Sequence, residues 1–296
     1  MIGVCLLLGI IFQHIKDFHE NSYLALNNFI IYVSLPAITL LHVPELEVSK
    51  ALWMPIVTAW IIFIVAMLFF KLLQPILKFS NATLGCLILT CGLFNSSFIG
   101  FPVIKALYGE SGLRIAIMVD QPGSFMVLST LGIGVAAWLS SGKADFKIIA
   151  NKIISFPPLW AFVIAFFMLL FNKHHLAETT SILKIFANTM TPLALVSVGM
   201  QLKFSMQHNM LKELSVGLGY KLMIAPALLY FLFFIILKTN NLEAKVSVME
   251  AAMAPMIMGA IIATKYNLNP KLASLIVGFG IPLSFVTLLF WHFILN

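Results

Sequence analysis

Glu250, Asp120 and Lys221 each fall inside a run of apolar residues. An ionisable side chain at the centre of a membrane helix costs about 2.5–3.5 kcal/mol on insertion scales, so each needs a reason to be there. Glu250 stands five residues before Pro255 in Met249-Glu250-Ala251-Ala252-Met253-Ala254-Pro255-Met256. A carboxylate at that place can bind a proton or Na⁺, and the alternative is an interfacial acid that reaches water. Asp120, followed by Gln121-Pro122-Gly123, lies seven residues into its run. At 1.5 Å per residue that is about 10 Å deep, too deep for a short acid to snorkel easily. It reads as a proton or cation site, or as support for a neighbouring helix break. Lys221 lies one to two turns into its run, where its long stem can snorkel, and is expected to be a structural anchor.

A second constellation is uncharged. Cys91-Gly92-Leu93-Phe94-Asn95-Ser96-Ser97-Phe98-Ile99-Gly100-Phe101-Pro102 puts three consecutive polar side chains, two glycines and a proline within a dozen residues. Proline in a helix removes one backbone bond and frees carbonyls, and polar backbone at membrane depth is tolerated only where protein or a water-filled cavity covers it. Asn95, Ser96, Ser97 and Gln121 can donate hydrogen bonds to an anion. The broken backbone around Gly100, Pro102 and Pro255 can supply further amides and carbonyls. Two proline-kinked helices packed by small residues are the alternative. The other chemistries lack residues. Cys5, Cys86 and Cys91 have neither metal-ligand spacing nor a disulfide framework. The seven histidines lie near run ends or in loops with no His-x-x-x-His pair, which predicts interfacial roles and no metal. No nucleophile with a base is placed inside the runs, which argues against an enzyme. A long polar ring is absent and paired broken helices suit a carrier better than a channel; a channel, or a membrane-embedded sensor or binding protein without transport, is the alternative.

The elements that must position these groups follow from composition. The 296 residues are 61% hydrophobic and only 10% charged, too few charges to wet the surface of a soluble globule. Apolar runs occur at about 1–15, 23–43, 51–73, 82–107 and 113–139, and again at 153–171, 182–202, 214–237, 246–266 and 272–295. An all-α integral membrane protein of ten spans is the expectation. The first run is weak, because Gln13, His14 and Lys16 shorten it. Met1 enters it without a basic region or cleavage site, which argues for a retained helix over a removable signal peptide. The net charge of +7 is spread singly, so nucleic acid is not an expected partner. The lipid bilayer is, and a homodimer is compatible with the sequence.

The ten runs pair off by their prolines. Pro36 and Pro192 are 156 residues apart, Pro102 and Pro255 are 153, and Pro122 and Pro282 are 160. Pro122-Gly123-Ser124-Phe125 echoes Pro282-Leu283-Ser284-Phe285. This predicts two five-helix repeats, 1–140 and 153–296, joined by a cytoplasmic connector at 141–152. An odd span count inverts the second repeat, an arrangement typical of secondary transporters. Loops after odd-numbered spans carry ten lysines against seven basic residues on the other side, which favours both termini outside.

Asn95 to Pro102, closed by Leu107-Tyr108-Gly109, resembles the fourth-helix signature of the auxin efflux carrier family. Pro192-Leu193-Ala194-Leu195, with Gly199 and Gln201-Leu202, resembles its seventh-helix motif, and Ala251 to Pro255 with Ala263-Thr264-Lys265-Tyr266 its ninth helix and exit. The likeness runs along essentially the whole chain. It implies a bacterial-type member in the inner membrane, with the architecture of bile-acid and sodium symporters and broken helices four and nine crossing at prolines. Elevator-type alternating access and organic anion substrates, small carboxylates in bacteria, are also implied. Glu250 and Asp120, by their depth in the spans, are the candidates for coupling to H⁺ or Na⁺, and no other cofactor is expected. Met256 departs from the pattern, since relatives commonly place a small polar residue after this proline.

Overall fold

A computed structural model describes residues 2–19, 21–46, 50–140, 154–171, 177–201 and 210–296. The expected connector at 141–152 lies outside the described residues. The described chain is helical, with one isolated antiparallel bridge between Phe94 and Pro255 as its only extended pairing. Its helices are α1 (Ile2–Phe12), α2 (Tyr23–Glu45), α3 (Trp53–Leu77), α4 (Asn81–Cys91), α5 (Phe101–Val119), α6 (Ile133–Leu139), α7 (Pro157–Leu170), α8 (Glu178–Gln201), α9 (Leu211–Ile236), α10 (Leu242–Ala251), α11 (Ile257–Lys265) and α12 (Pro270–Leu295).

Six apolar stretches among the described residues are long enough to cross a membrane: α2, α3, α8, α9, α12 and the continuous stretch Ser96–Leu139. Ten spans were expected, and the difference has local causes. The runs at 82–107 and 246–266 are each cut in two, leaving the short helices α4, α10 and α11. The first and sixth runs form helices of only 11 and 14 residues. The second half of the fourth run continues through the fifth, turning at Gly109, whose φ of +67° suits a residue without a Cβ.

Prolines accompany four of the wide turns within the long helices, while Leu128–Gly132 and Phe231–Ile236 have none. Wide π-type turns at Ile30–Ser34, Ser96–Gly100 and Tyr220–Ile224 each end one residue before the residue preceding a proline: Pro36, Pro102 and Pro226. A proline ring clashes with the carbonyl four residues earlier, and widening the turn relieves the clash. The carbonyl so released by Pro226 is that of Leu222, and it accepts a hydrogen bond from Trp291 Nε1 at 3.0 Å. A fourth wide turn, Asp120–Phe125, contains Pro122, whose own carbonyl accepts from Trp60 Nε1 at 3.1 Å.

Two compact units can be distinguished, each built from separate chain segments. The first comprises 1–50, 97–117 and 151–202. In it α1 crosses α8 where Gly9 meets Gly199, and a Cβ on either would run into the backbone of the other helix. Polar side chains tie the helices together as they do in lipid, where association lacks a hydrophobic drive. Gln13 Nε2 donates to Gly199 O at 2.7 Å, Ser34 and Thr189 share a bond of 2.7 Å, and Ser197 donates to Asn27. At the end of α2, Arg114 pairs with Glu45, and Glu110 pairs with both Lys105 (2.7 Å) and His42 (3.4 Å). His42, expected at the interface, is therefore buried in an ion-pair cluster.

The second unit comprises 51–96, 118–150 and 203–296. On α3, Ile62, Phe63, Ala66 and Phe70 are wholly buried while Ile64, Leu68, Leu72 and Ile76 on the other face are exposed. Both faces are apolar, so the outward one suits lipid rather than water. Tyr220 packs with Phe69 and Phe70 and donates to Ile62 O at 2.8 Å. α12 passes the break before α11 so closely that a Cβ at Gly280 would come within 2.6 Å of the Pro255 ring.

Candidate functional site

Two helix breaks lie side by side in the second unit. α4 ends at Cys91, and Gly92 to Asn95 leave helical geometry. α10 ends at Ala251, and the chain stays non-helical until Met256, whose φ of −74° and ψ of 118° are extended. The extended pieces are held by backbone bonds from Asn95 N to Ala254 O (3.0 Å) and from Met256 N to Thr90 O (3.1 Å), the second reaching the last turn of α4. Proline at 255 permits this because its missing N–H would otherwise demand a partner there. Side-chain amides and hydroxyls thereby meet the ends of α4, α10 and α11 in the protein interior.

The buried polar groups collect around this pairing. Glu250, the penultimate residue of α10, is wholly buried, and its Oε2 accepts from Ser96 Oγ at 2.6 Å. Its Oε1 is buried and makes no hydrogen bond among the described residues. Asn95 Nδ2 is in the same condition. Asp120 is close enough to act on Glu250 electrostatically, and it accepts from Gln121 Nε2 at 3.1 Å. Gln121 Oε1 is another buried acceptor without a partner. Buried polar atoms are nearly always paired in folded proteins. Glu250 Oε1 and two further unpaired atoms, on the chain neighbours of Ser96 and Asp120, therefore mark this cluster as the candidate site.

Lys221 is the residue the sequence reading placed wrongly in space. Its stem does not snorkel: the side chain is wholly buried, and Nζ donates to Ala251 O at 2.6 Å, the carbonyl that ends α10. Nζ also sits 4.9 Å from the centre of the Phe94 ring. A helix C-terminus carries partial negative charge and an aromatic face is likewise negative, so both favour an ammonium. Its anchoring role stands, but it anchors the break itself. The only sequence signal for this was its position inside a span.

Of the expected site residues, the structure brings together Asn95, Ser96, Pro255 and Glu250, with Asp120 and Gln121 in the same unit. Ser97, Gly100 and Pro102 follow in the chain but belong to the first unit; Gly100 and Pro102 are buried and Ser97 is half-buried. Pro102 is the second residue of α5, so the extended backbone of the first break lies at Phe94 and Asn95, seven to eight residues before that proline. Thr90 and Phe94, which supply a carbonyl and the pairing residue, had no distinguishing mark in an apolar run. No group of three or more His, Cys, Asp or Glu able to hold a metal occurs among the described residues.

Paired breaks inside apolar helices, lined by buried amide and carboxylate groups, belong to membrane transporters rather than enzymes. The comparisons with known proteins agree. A family model described as membrane transport protein matches residues 2–292, and the chain belongs to that family, the auxin efflux carriers. It is similar to an uncharacterized transporter of Methanocaldococcus jannaschii, 27% identical over 297 residues covering 96% of this chain and 92% of that protein. It is likewise 27% identical to an uncharacterized transporter of Methanothermobacter thermautotrophicus over 300 residues, covering 99% and 95%.

Proposed function

We propose that this membrane transporter is a secondary carrier of small organic anions, carboxylates in particular, and that the anion binds at the paired breaks. The observation that carries the reading is the buried, unpartnered Nδ2 of Asn95 beside the Phe94 to Pro255 pairing. A side-chain amide in that condition is a donor awaiting an acceptor, and a carboxylate is the strongest common one. The N-terminus of α11 opens at the same place, and Met256 gives it no side-chain cap. Its first amides carry partial positive charge suited to an anion.

Movement of the elevator type, with alternating access, fits a chain that divides into two compact units. Two inverted five-helix repeats, 1–140 and 153–296, fit the same picture. Ser34 and Thr189, which bond to one another, lie two and three residues before the matched prolines Pro36 and Pro192. On this reading Glu250 and Asp120 couple transport to H⁺ or Na⁺, and both termini lie outside an inner membrane. Uptake of radiolabelled carboxylates by purified protein in liposomes tests it. Loss of uptake in Asn95→Ala and Glu250→Ala is the expected result. Unchanged uptake of every recognised substrate in both variants would remove the site from these residues.

A further inference from the structure

We propose that the carboxylate pair at the breaks exchanges one proton and does not take Na⁺, because Lys221 already stands where a coupling cation would bind. The proposal rests on the reading of this cluster as the transport site. In carriers with broken helices, Na⁺ is held by unwound carbonyls and half-helix C-terminal ends. Here three of those oxygens, the ones that face the pairing of the breaks, are engaged. Ala251 O accepts from Lys221 Nζ at 2.6 Å, Ala254 O from Asn95 N at 3.0 Å, and Thr90 O from Met256 N at 3.1 Å. Glu250 Oε2 accepts from Ser96 Oγ at 2.6 Å. A carbonyl has a second lone pair, but an ammonium lying on Ala251 O repels any second cation drawn to it.

The charge count points the same way. With Glu250 and Asp120 ionised and Lys221 protonated, the cluster holds two negative charges against one positive, all three groups buried and both Asp120 and Lys221 within electrostatic range of Glu250. One negative charge is left over, and an uncompensated buried charge is costly. A single proton removes the imbalance without needing a coordination shell. Glu250 Oε1, buried and without a hydrogen-bond partner, is the atom that takes it. An O–H bond forms there as a hydronium ion gives up its proton to leave water; the reverse step releases it, and no electrons change hands.

Two measurements on the purified full chain decide this without any transport substrate, so their failure is separate from a failure of the carboxylate reading. The first is equilibrium binding of radioactive sodium, with choline as the background cation, across acid to alkaline pH. No binding above the choline background is expected, and saturable sodium binding would overturn the proposal. The second is infrared detection of the carbonyl stretch of a protonated carboxyl as the medium is acidified. A band is expected in the wild type, lost in Glu250→Gln and shifted in Asp120→Asn. A band unchanged in both variants would place the proton elsewhere. If either variant fails to fold, the wild-type sodium measurement still decides between the two ions.

Discussion

Replacing Lys221 by methionine removes the amine and keeps most of the stem, so it isolates what the buried ammonium does. Two interactions disappear. The bond to Ala251 O, charge-assisted and buried, is worth about 1.5–3 kcal/mol, and the ammonium over the Phe94 ring adds about 0.5–2 kcal/mol. The expected loss is then about 2–5 kcal/mol, which by the scaling for long chains lowers the melting temperature by about 5–15 °C. Glu250 and Asp120 also lose their counter-charge, and protonation relieves that part. The variant should therefore recover stability relative to wild type as the medium is acidified. Glu250→Gln placed in the Lys221→Met background should restore about 1–3 kcal/mol, the coupling expected of residues in one charge network. Thermal unfolding of the four proteins in the same detergent completes the cycle. A Lys221→Met protein that melts with the wild type, or a cycle that is purely additive, would refute the account of Lys221.

Three further predictions concern packing and hydrogen bonding within the two units. Gly280→Ala should destabilise by about 1–3 kcal/mol through overpacking against the Pro255 ring, read as a lower melting temperature, whereas Gly134→Ala, with open space around it, should change little. Trp291→Phe leaves the Leu222 carbonyl inside a proline-widened turn without its donor and should cost about 1–3 kcal/mol by the same assay. Ser34→Ala removes one hydrogen bond within the first unit and should cost about 0.5–1.5 kcal/mol.

Much of the fold was legible because lipid imposes a coarse requirement, long apolar runs, that composition alone displays. The span count was less legible. Hydropathy marks where a chain is apolar, and it does not show that 82–107 and 246–266 are each interrupted by a break. The breaks themselves were readable from Asn95-Ser96-Ser97 and from Pro255, since polar side chains and a missing N–H leave a trace in the residue types. Their contents were only half readable. Asn95, Ser96, Glu250 and Asp120 are conspicuous in an apolar setting, whereas Thr90 acts through its carbonyl and Phe94 through its backbone and ring face. Backbone groups are the same in every residue, so no sequence pattern could single them out. Lys221 was visible but misjudged. A long basic stem near a helix end usually reaches water, and only the packing of α9 against the end of α10 shows that this one turns inward.

The central claim is that the paired breaks bind an anion and carry it across by alternating access. Solute counterflow tests it most directly: liposomes holding purified protein are loaded with an unlabelled small carboxylate and diluted into a trace of the labelled one. A carrier whose site is reached from one side at a time gives transient accumulation of label inside, and Asn95→Ala should abolish it while leaving the protein folded. Label that merely equilibrates at a rate indifferent to the internal carboxylate, or counterflow undiminished in Asn95→Ala, would contradict the account.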